Sequence, residues 1–389
     1  MKFAHIADVH LGAWREPALR QKTLDAFSIV IEQCIAQHVD FVCIAGDLFN
    51  TALPSIDILK ETVRLLQKLK QHSIPVYCIA GSHDYSASGK TMLDVLEEAQ
   101  LLTNVMRGAV VEGALQLRPV VDAKTGYKIT GILGKAGMYD QTYYQQLDTS
   151  LLDDKTIFLF HTALLELMPP WLSHVQALPI SSLPPGCYYY AGGHIHVRSD
   201  VLYDKAHVVF PGPVFPASMQ ELEHIQHGSF VIVDNGVPTF FPLKLHHVQS
   251  VTVDVTNKTL VQIQQQMQLS VTPQSIVLLT LQGYLQDITF QQLEIDSVVA
   301  DYMQQGAFVV LRNTAHVRLP HFEQQYVEGQ VEVIEQKLLE TYAQDDWSVA
   351  LMHEIMDVLS VGKQEGETVA TYEQRISDQL QSIDRFKYN

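Results

Sequence analysis

Five short clusters of acids and histidines stand out in the sequence: Asp8-Val9-His10, Gly46-Asp47, Gly81-Ser82-His83-Asp84, Phe160-His161 and Gly193-His194-Ile195-His196. A mixed set of carboxylates and imidazoles suits Mn²⁺, Fe²⁺ or Zn²⁺, and is softer than the all-oxygen shell that Mg²⁺ prefers. Two such ions about 3.5–4 Å apart can clamp a phosphodiester, activate a water and stabilise the leaving oxygen. Asp47 has two oxygens and could bridge them. With two divalent ions bound, the Asp8 and Asp47 carboxylates leave a local charge of about +2, an attractive seat for phosphate. Each cluster alone is weak. An Asp-x-His at a strand end, a Gly-Asp turn or a single histidine at a core edge is usually ordinary structure. The conjunction carries the signal, because all five occur directly after an apolar run. The other twelve histidines have no such setting, and His224/His227 and His246/His247 read most simply as loop residues.

The runs that precede these clusters read as buried strands: Lys2–Ala7, Phe41–Ala45, Val76–Ala80, Ile157–Phe160 and Tyr188–Ala191. Helical patterns at about Pro17–Gln37, Ser55–Gln71 and Lys90–Leu101 are interleaved with the first three, the texture of an α/β fold. Ligands bind at the carboxyl ends of strands in open α/β sheets, so the five clusters are expected to face one crevice. Further strands are expected at Gly108–Glu112, Lys128–Leu133, His207–Phe210, Ser229–Val233 and Thr239–Phe241. The texture changes near Leu243–Val248. There a βαβαβ unit begins, with strands at His247–Val255, Ser275–Gln282 and Ala307–Arg312 and helices at Lys258–Leu269 and Ile288–Met303. From about Gly329 the pattern is helical and acidic, with apolar spacing at Val333, Ile334, Leu338 and Leu339, then Val349, Met352, Ile355 and Leu359, and a last helix at Val369–Ile383. The expected division is residues 1–244, 245–315 and 316–389, the last either a capping bundle or a partner-docking surface.

At 389 residues the chain exceeds the usual size of a single core. No apolar run approaches a membrane span, and Met1-Lys2-Phe3 leads into a strand, not a signal sequence. Cys34, Cys43, Cys78 and Cys187 form no CxxC pair and read as reduced thiols, so a soluble cytoplasmic protein with no membrane association is expected. A net charge of −17 looks wrong for a nucleic-acid binder. Its distribution softens the objection: residues 1–206 carry −4 and residues 207–389 carry −13.

The order of the five clusters resembles that of the calcineurin-like metallophosphoesterases. The longer segments Ile6-Ala7-Asp8-Val9-His10-Leu11-Gly12 and Gly46-Asp47-Leu48-Phe49 are similar to the SbcD (Mre-eleven) branch of DNA-repair nucleases. The likeness covers roughly residues 1–242. It implies a four-layer α/β sandwich, two mixed β-sheets flanked by helices, with the small α/β unit as a capping domain. It implies a manganese-dependent DNA exo- and endonuclease acting as a homodimer with a coiled-coil ATPase of the SbcC (Rad-fifty) type. It also implies that one metal takes Asp8, His10, Asp47 and His196. The other takes Asp47, Ser82, His161 and His194. His83 becomes the catalytic histidine, with Asp84 a candidate to orient its ring. Trp14 and Arg15 could touch substrate, though a surface aromatic beside a loop is the plainer reading. Homodimerisation is expected through the helices near Ser55–Gln71 and Lys90–Leu101, on Ile58, Leu59, Leu66, Met92 and Leu96.

Three positions depart from the family pattern. Ser82 stands where a metal-binding Asn is usual, Asn50 stands where some members have a second functional His, and Pro211-Gly212-Pro213 lacks a Ser after its Gly. Two other readings compete with a DNA nuclease: an esterase for nucleotides or other small phosphodiesters, and a non-catalytic DNA-holding scaffold. A Ser hydroxyl reaches less far than an Asn amide oxygen and is a poorer donor, so the second ion should be the weaker one. Ser82→Asn is therefore expected to lower the Mn²⁺ concentration for half-maximal cleavage. Overlaid metal-dependence curves for the two proteins would mean that a water substitutes for the amide at almost no cost.

Overall fold

The computed structural model describes residues 1–86, 91–134, 141–172, 175–286, 288–319, 339, 349–364 and 367–383. The short apolar runs of the first half form two six-stranded mixed sheets. The first holds β1 (Lys2–Ile6), β2 (Phe41–Ala45), β3 (Val76–Ile79), β4 (Thr103–Asn104), β14 (Gly228–Asp234) and β15 (Val237–Leu243), in the order β15-β14-β1-β2-β3-β4. In the second, β7 (Val120–Val121), β8 (Lys128–Ile132), β10 (Thr156–His161), β11 (Tyr189–Gly193), β12 (Arg198–Tyr203) and β13 (Ala206–Pro211) lie in the order β12-β13-β11-β10-β8-β7. The central strands of each sheet run parallel; antiparallel strands close the β15 edge of the first sheet and both edges of the second, whereas β4 joins β3 in parallel.

Side chains alternate faces along a strand, so the central strands are apolar on both sides. Phe3, Phe41, Cys43 and Tyr77 meet Ile157, Leu159, Tyr189 and Ala191 in the core between the sheets. The opposite face of the first sheet, with Ala4, Ile6, Val42, Ile44 and Cys78, packs against helices α1 (Pro17–Ala36), α2 (Ile56–Gln71) and α3 (Met92–Glu98). Glu16 and Pro17 start α1, and Ser55 caps α2, each at the first position where the periodic apolar pattern begins. The outer face of the second sheet is covered by short pieces. These include a small sheet of β5 (Gly108–Val111), β6 (Ala114–Leu117) and β9 (Leu147–Asp148), and the one-turn helix α4 (Gln141–Gln145). This is the expected four-layer α/β sandwich, with a thin fourth layer. The elements without an expectation are the polar edge strand β12, the strands β4, β6, β7 and β9, and helices α4 and α5 (Met219–Ile225). All are short, or half exposed with no clean period.

The βαβαβ unit forms a parallel sheet of β16 (Val248–Asp254), β17 (Ile276–Tyr284) and β18 (Val309–Arg318). Helices α6 (Leu260–Gln266) and α7 (Ile295–Gln304) share one core with Val253, Val277, Leu279 and Leu281. The other face of that sheet, with Val248, Ile276, Leu278 and Val309, joins the core under α1 and α2. The chain divides into two units, Met1–Leu319 and Pro320–Asn389. In the second, helices are described at Val349–Ser360 and Val369–Ser382. The spacing at Val333, Ile334 and Leu338 lies outside the described residues, and so does Lys90 at the start of the third expected helix.

One expectation needs correction. Ile58, Leu66 and Leu96 are buried in the main core, and Leu59 and Met92 pack against it, so helix-to-sheet packing accounts for this apolar surface. The exposed apolar side chains nearby are Leu53, Ile56 and Val95.

Because Leu278 and Leu279 point to opposite faces of β17, they report on different contacts. Leu278→Ala should remove roughly 2–5 kcal/mol from the joint between the third sheet and the main core. Denaturant unfolding is expected to show a lower midpoint with main-core and third-sheet probes moving together. Leu279→Ala should loosen the packing of α6 and α7 first.

Candidate metal centre

Five parallel strands deliver the site. Asp8 and His10 follow β1, Asp47 follows β2, Gly81 to Asp84 follow β3, His161 ends β10, and His194 and His196 follow β11. The two sheets meet at these carboxyl ends. Asp8, His10, Asp47 and His194 all have positive φ, at 52°, 47°, 52° and 91°. A left-handed backbone is costly for a residue with a side chain, and here it turns four of them out of the strand direction into one space. Two glycines make the approach possible. A Cβ on Gly46 would lie 2.2 Å from His161 Nδ1, and a Cβ on Gly81 would lie 2.2 Å from Asp47 Oδ1.

Asp8, His10, Asp47 and His161 are buried. His10 Nε2 lies 3.1 Å from His196 Nε2 and 3.6 Å from Asp47 Oδ2, and His196 Nε2 lies 3.7 Å from Asp8 Oδ1. His161 Nε2 is 3.2 Å from the same Asp47 Oδ2, and the His161 and His194 rings are 5.2 Å apart. Thus Asp47 Oδ2 faces both His10 and His161, Asp8 Oδ1 approaches His196 and, at 4.0 Å, His161 Nδ1, and the His194 ring lies beside that of His161. Backbone contacts lock the carboxylates: His194 N donates to both Asp8 oxygens and His83 N donates to Asp47 Oδ1 at 2.7 Å.

This arrangement fits cations better than it fits a hydrogen-bond network. His161 Nδ1 donates to the Ala45 carbonyl at 2.8 Å, which turns Nε2 toward Asp47, too far out of line to hydrogen-bond. His10 Nδ1 is likewise buried without a partner. Buried polar atoms are rarely left so, and ligand nitrogens that face carboxylate oxygens are what a metal requires. Among the described residues, three groups have donor atoms close enough together for an ion: Asp8, His10 and His196; His10, Asp47 and His83; Asp8, Asp47 and His161.

Electrostatics reflect the crowding. Burial pushes His161 down, but the Asp47 and Asp8 carboxylates outweigh it and hold the ring at about 10. Burial also opposes the charged form of His196, and Glu221 with Asp8 raises it to about 9. His10 and His194 are driven down to about 3, chiefly by burial, with neighbouring histidines adding to it. Burial raises Asp8 and pushes up on Asp47, yet His161 and His10 pull Asp47 well below the carboxylate range.

The remaining sequence-predicted residues fall as follows. His83 is exposed, with its ring 4.8 Å from that of His10 and its Nδ1 2.9 Å from the Asn50 carbonyl. The backbone of Asn50, not Asp84, therefore orients this ring. The buried Asp84 carboxylate instead accepts the N–H groups of Leu48, Phe49 and Gly81, at 3.2, 2.9 and 3.0 Å, and ties the second and third loops together. Burial and Asp47 raise Asp84 to about 7 against the pull of those donors. Ser82 is half-buried in the turn between Gly81 and His83. Trp14 packs on the main core with its indole donating to the Pro216 carbonyl, whereas Arg15 is exposed. His224 sits on α5, not in a loop, and stacks on Trp171. Sequence reasoning missed Glu221, also on α5, whose Oε2 lies 2.9 Å from His196 Nδ1. The available signal was the Ser218-x-x-Glu221 spacing of a helix start.

Strand-end loops of a double α/β sheet that converge carboxylates and imidazoles on a shared aspartate define a metal-dependent hydrolase of phosphate esters. The chain belongs to the calcineurin-like phosphoesterase family, whose model matches residues 1–198. Curated relatives named DNA double-strand break repair protein Mre11 are similar to it. The protein from Archaeoglobus fulgidus is 30% identical over 281 residues, covering 65% of this chain and 62% of that protein. The one from Saccharolobus solfataricus is 27% identical over 220 residues, covering 54% and 53%, and that from Sulfolobus acidocaldarius 27% over 232 residues, covering 58% of each. The chain thus spans between half and two thirds of the length of these relatives.

Metal and protons compete for the same nitrogens. His161 and His196 sit above the ordinary histidine value of 6.5, so the stabilisation from their charged forms is complete below about 6.5 and is lost as pH rises through about 9 to 10. The metal-free protein is expected to lose thermal stability over that upper range. Calorimetric Mn²⁺ affinity should climb roughly tenfold or more per pH unit between about pH 6 and 8. Affinity independent of pH would exclude these two rings from the metal shell.

Proposed function

We propose that the chain is a manganese-dependent DNA nuclease, cutting phosphodiester bonds by a two-metal mechanism in DNA repair. The observation that supports this reading is the approach of His10 and His161 to the same Asp47 carboxylate, with Asp8, His196 and the exposed His83 close by. The similarity to proteins named for DNA double-strand break repair supports DNA as the substrate class.

Asp8, His10, Asp47 and His196 would hold one divalent ion, and Asp47, Ser82, His161 and His194 the other. Fe²⁺, Zn²⁺ and Mg²⁺ are the alternatives to Mn²⁺. When bound, the ions supply positive charge against the phosphate and make a water acidic enough to attack at neutral pH. The protein does the rest. Asp8 and Asp47 are held by backbone N–H groups, so the donor set is fixed before substrate arrives. The Asn50 carbonyl accepts the Nδ1 proton of His83, which leaves Nε2 to face the phosphate. From there His83 would stabilise charge on the phosphate or protonate the leaving oxygen.

In the same reading, residues 1–244 form the nuclease domain, residues 245–315 cap it, and residues 316–389 dock an SbcC/Rad-fifty-type ATPase. No helix among the described residues is long and apolar enough to cross a membrane, and a cytoplasmic location fits that reading. Homodimerisation belongs to the same reading.

His83→Ala should abolish Mn²⁺-dependent cleavage of linear duplex DNA while metal content stays near wild type. Near-wild-type turnover would remove His83 from the chemistry. Asp47→Ala should lose both ions. Parallel assays on duplex DNA, single strands and a chromogenic diester identify the substrate, and turnover of the diester alone would point to a small-molecule esterase.

A further inference from the structure

What a ligating histidine's second nitrogen touches sets how firmly the first one binds. The rings here differ in that respect. His161 Nδ1 donates to a neutral backbone carbonyl, and His10 Nδ1 has no partner. His196 Nδ1 faces a carboxylate, Glu221 Oε2, at 2.9 Å. Glu221 is itself held in place. Ala217 N donates to Oε2 at 2.9 Å and the Ser218 hydroxyl donates to Oε1 at 3.1 Å. The Ser218 Oγ in return accepts the Glu221 N–H at 3.2 Å and caps α5. The side chain is 14% exposed, so this contact is shielded from solvent competition. Glu221 lies beyond residues 1–198, the segment that matches the family model.

We propose that Glu221 is a positioning residue that makes the ion on Asp8, His10, Asp47 and His196 the tighter of the two, so that the ions load in sequence. At 2.9 Å the carboxylate is close enough to hold a proton on Nδ1, which would fix the tautomer with the Nε2 lone pair turned inward and make that nitrogen more basic. The ion on the His161 side gains no such support. Its histidine leans on a neutral carbonyl, and Ser82 offers a shorter, weaker donor. The inference rests on these residues being metal ligands and does not depend on the identity of the substrate.

The test is calorimetric titration of the metal-free full-length chain with MnCl₂ alone. Wild type is expected to bind in a tight and a weak step. Glu221→Gln keeps an acceptor without its charge and should weaken the tight step by about 10–100-fold with the weak step unchanged; Glu221→Ala should weaken it further. Amide hydrogen exchange over α5 in the metal-free variants separates this from damage to the helix, since a positioning role predicts unchanged protection there for Glu221→Gln. Equal weakening of both steps, or no weakening of either, overturns the inference provided that Asp47→Ala eliminates both. If Asp47→Ala still binds two ions, the ligand assignment fails and this inference with it.

Discussion

Two carboxylates and several imidazoles occupy one buried space in this protein, and only positive charge can make that arrangement stable. Burial alone pushes the histidines toward neutrality and the aspartates toward protonation. His161 and His196 resist because Asp47, Asp8 and Glu221 surround them. The metal-free protein therefore holds protons where the chemistry of the donor set calls for cations. Much of the fold serves to keep this unfavourable gathering in place. Left-handed turns after β1, β2 and β11 aim the side chains, and glycines at 46 and 81 allow the close approach.

The support behind that gathering is layered. The inter-sheet core fixes the carboxyl ends of β1, β2, β10 and β11 against each other. Within that core His5 is buried, with Nδ1 3.0 Å from the Tyr189 hydroxyl and Nε2 3.2 Å from the Gly192 carbonyl, and so ties β1 to β11 just below the site. Asp84 performs the same service between loops, gathering three N–H donors from two of them. Neither residue needs to touch an ion to matter for it.

Much of this was legible in the sequence because it is local. An apolar run of four to six residues followed by Asp, His or Gly announces a buried strand and its loop, and the five clusters each supplied that pair of signals. The parallel βαβ order and the texture change near Leu243 were readable for the same reason. What escaped depends on long-range contacts. Glu221 reaches His196 across 25 positions of chain, and nothing near it besides a helix-start spacing marks it. Asp84 sits beside His83 in sequence, but its carboxylate points back into the loops, and the Asn50 carbonyl reaches the ring instead. Ile58, Leu66 and Leu96 looked like surplus apolar surface because a helix pattern cannot say how wide a sheet lies beneath it. The edge strand β12 alternates exposed and half-buried positions and leaves almost no hydrophobic trace.

The shared role of Asp47 is the central claim, and anomalous scattering from crystals soaked in Mn²⁺ addresses it directly. Two peaks are expected with Asp47 between them, one within ligand distance of Asp8, His10 and His196 and the other of His161 and His194. A single peak, or two peaks of which only one touches Asp47, would contradict it.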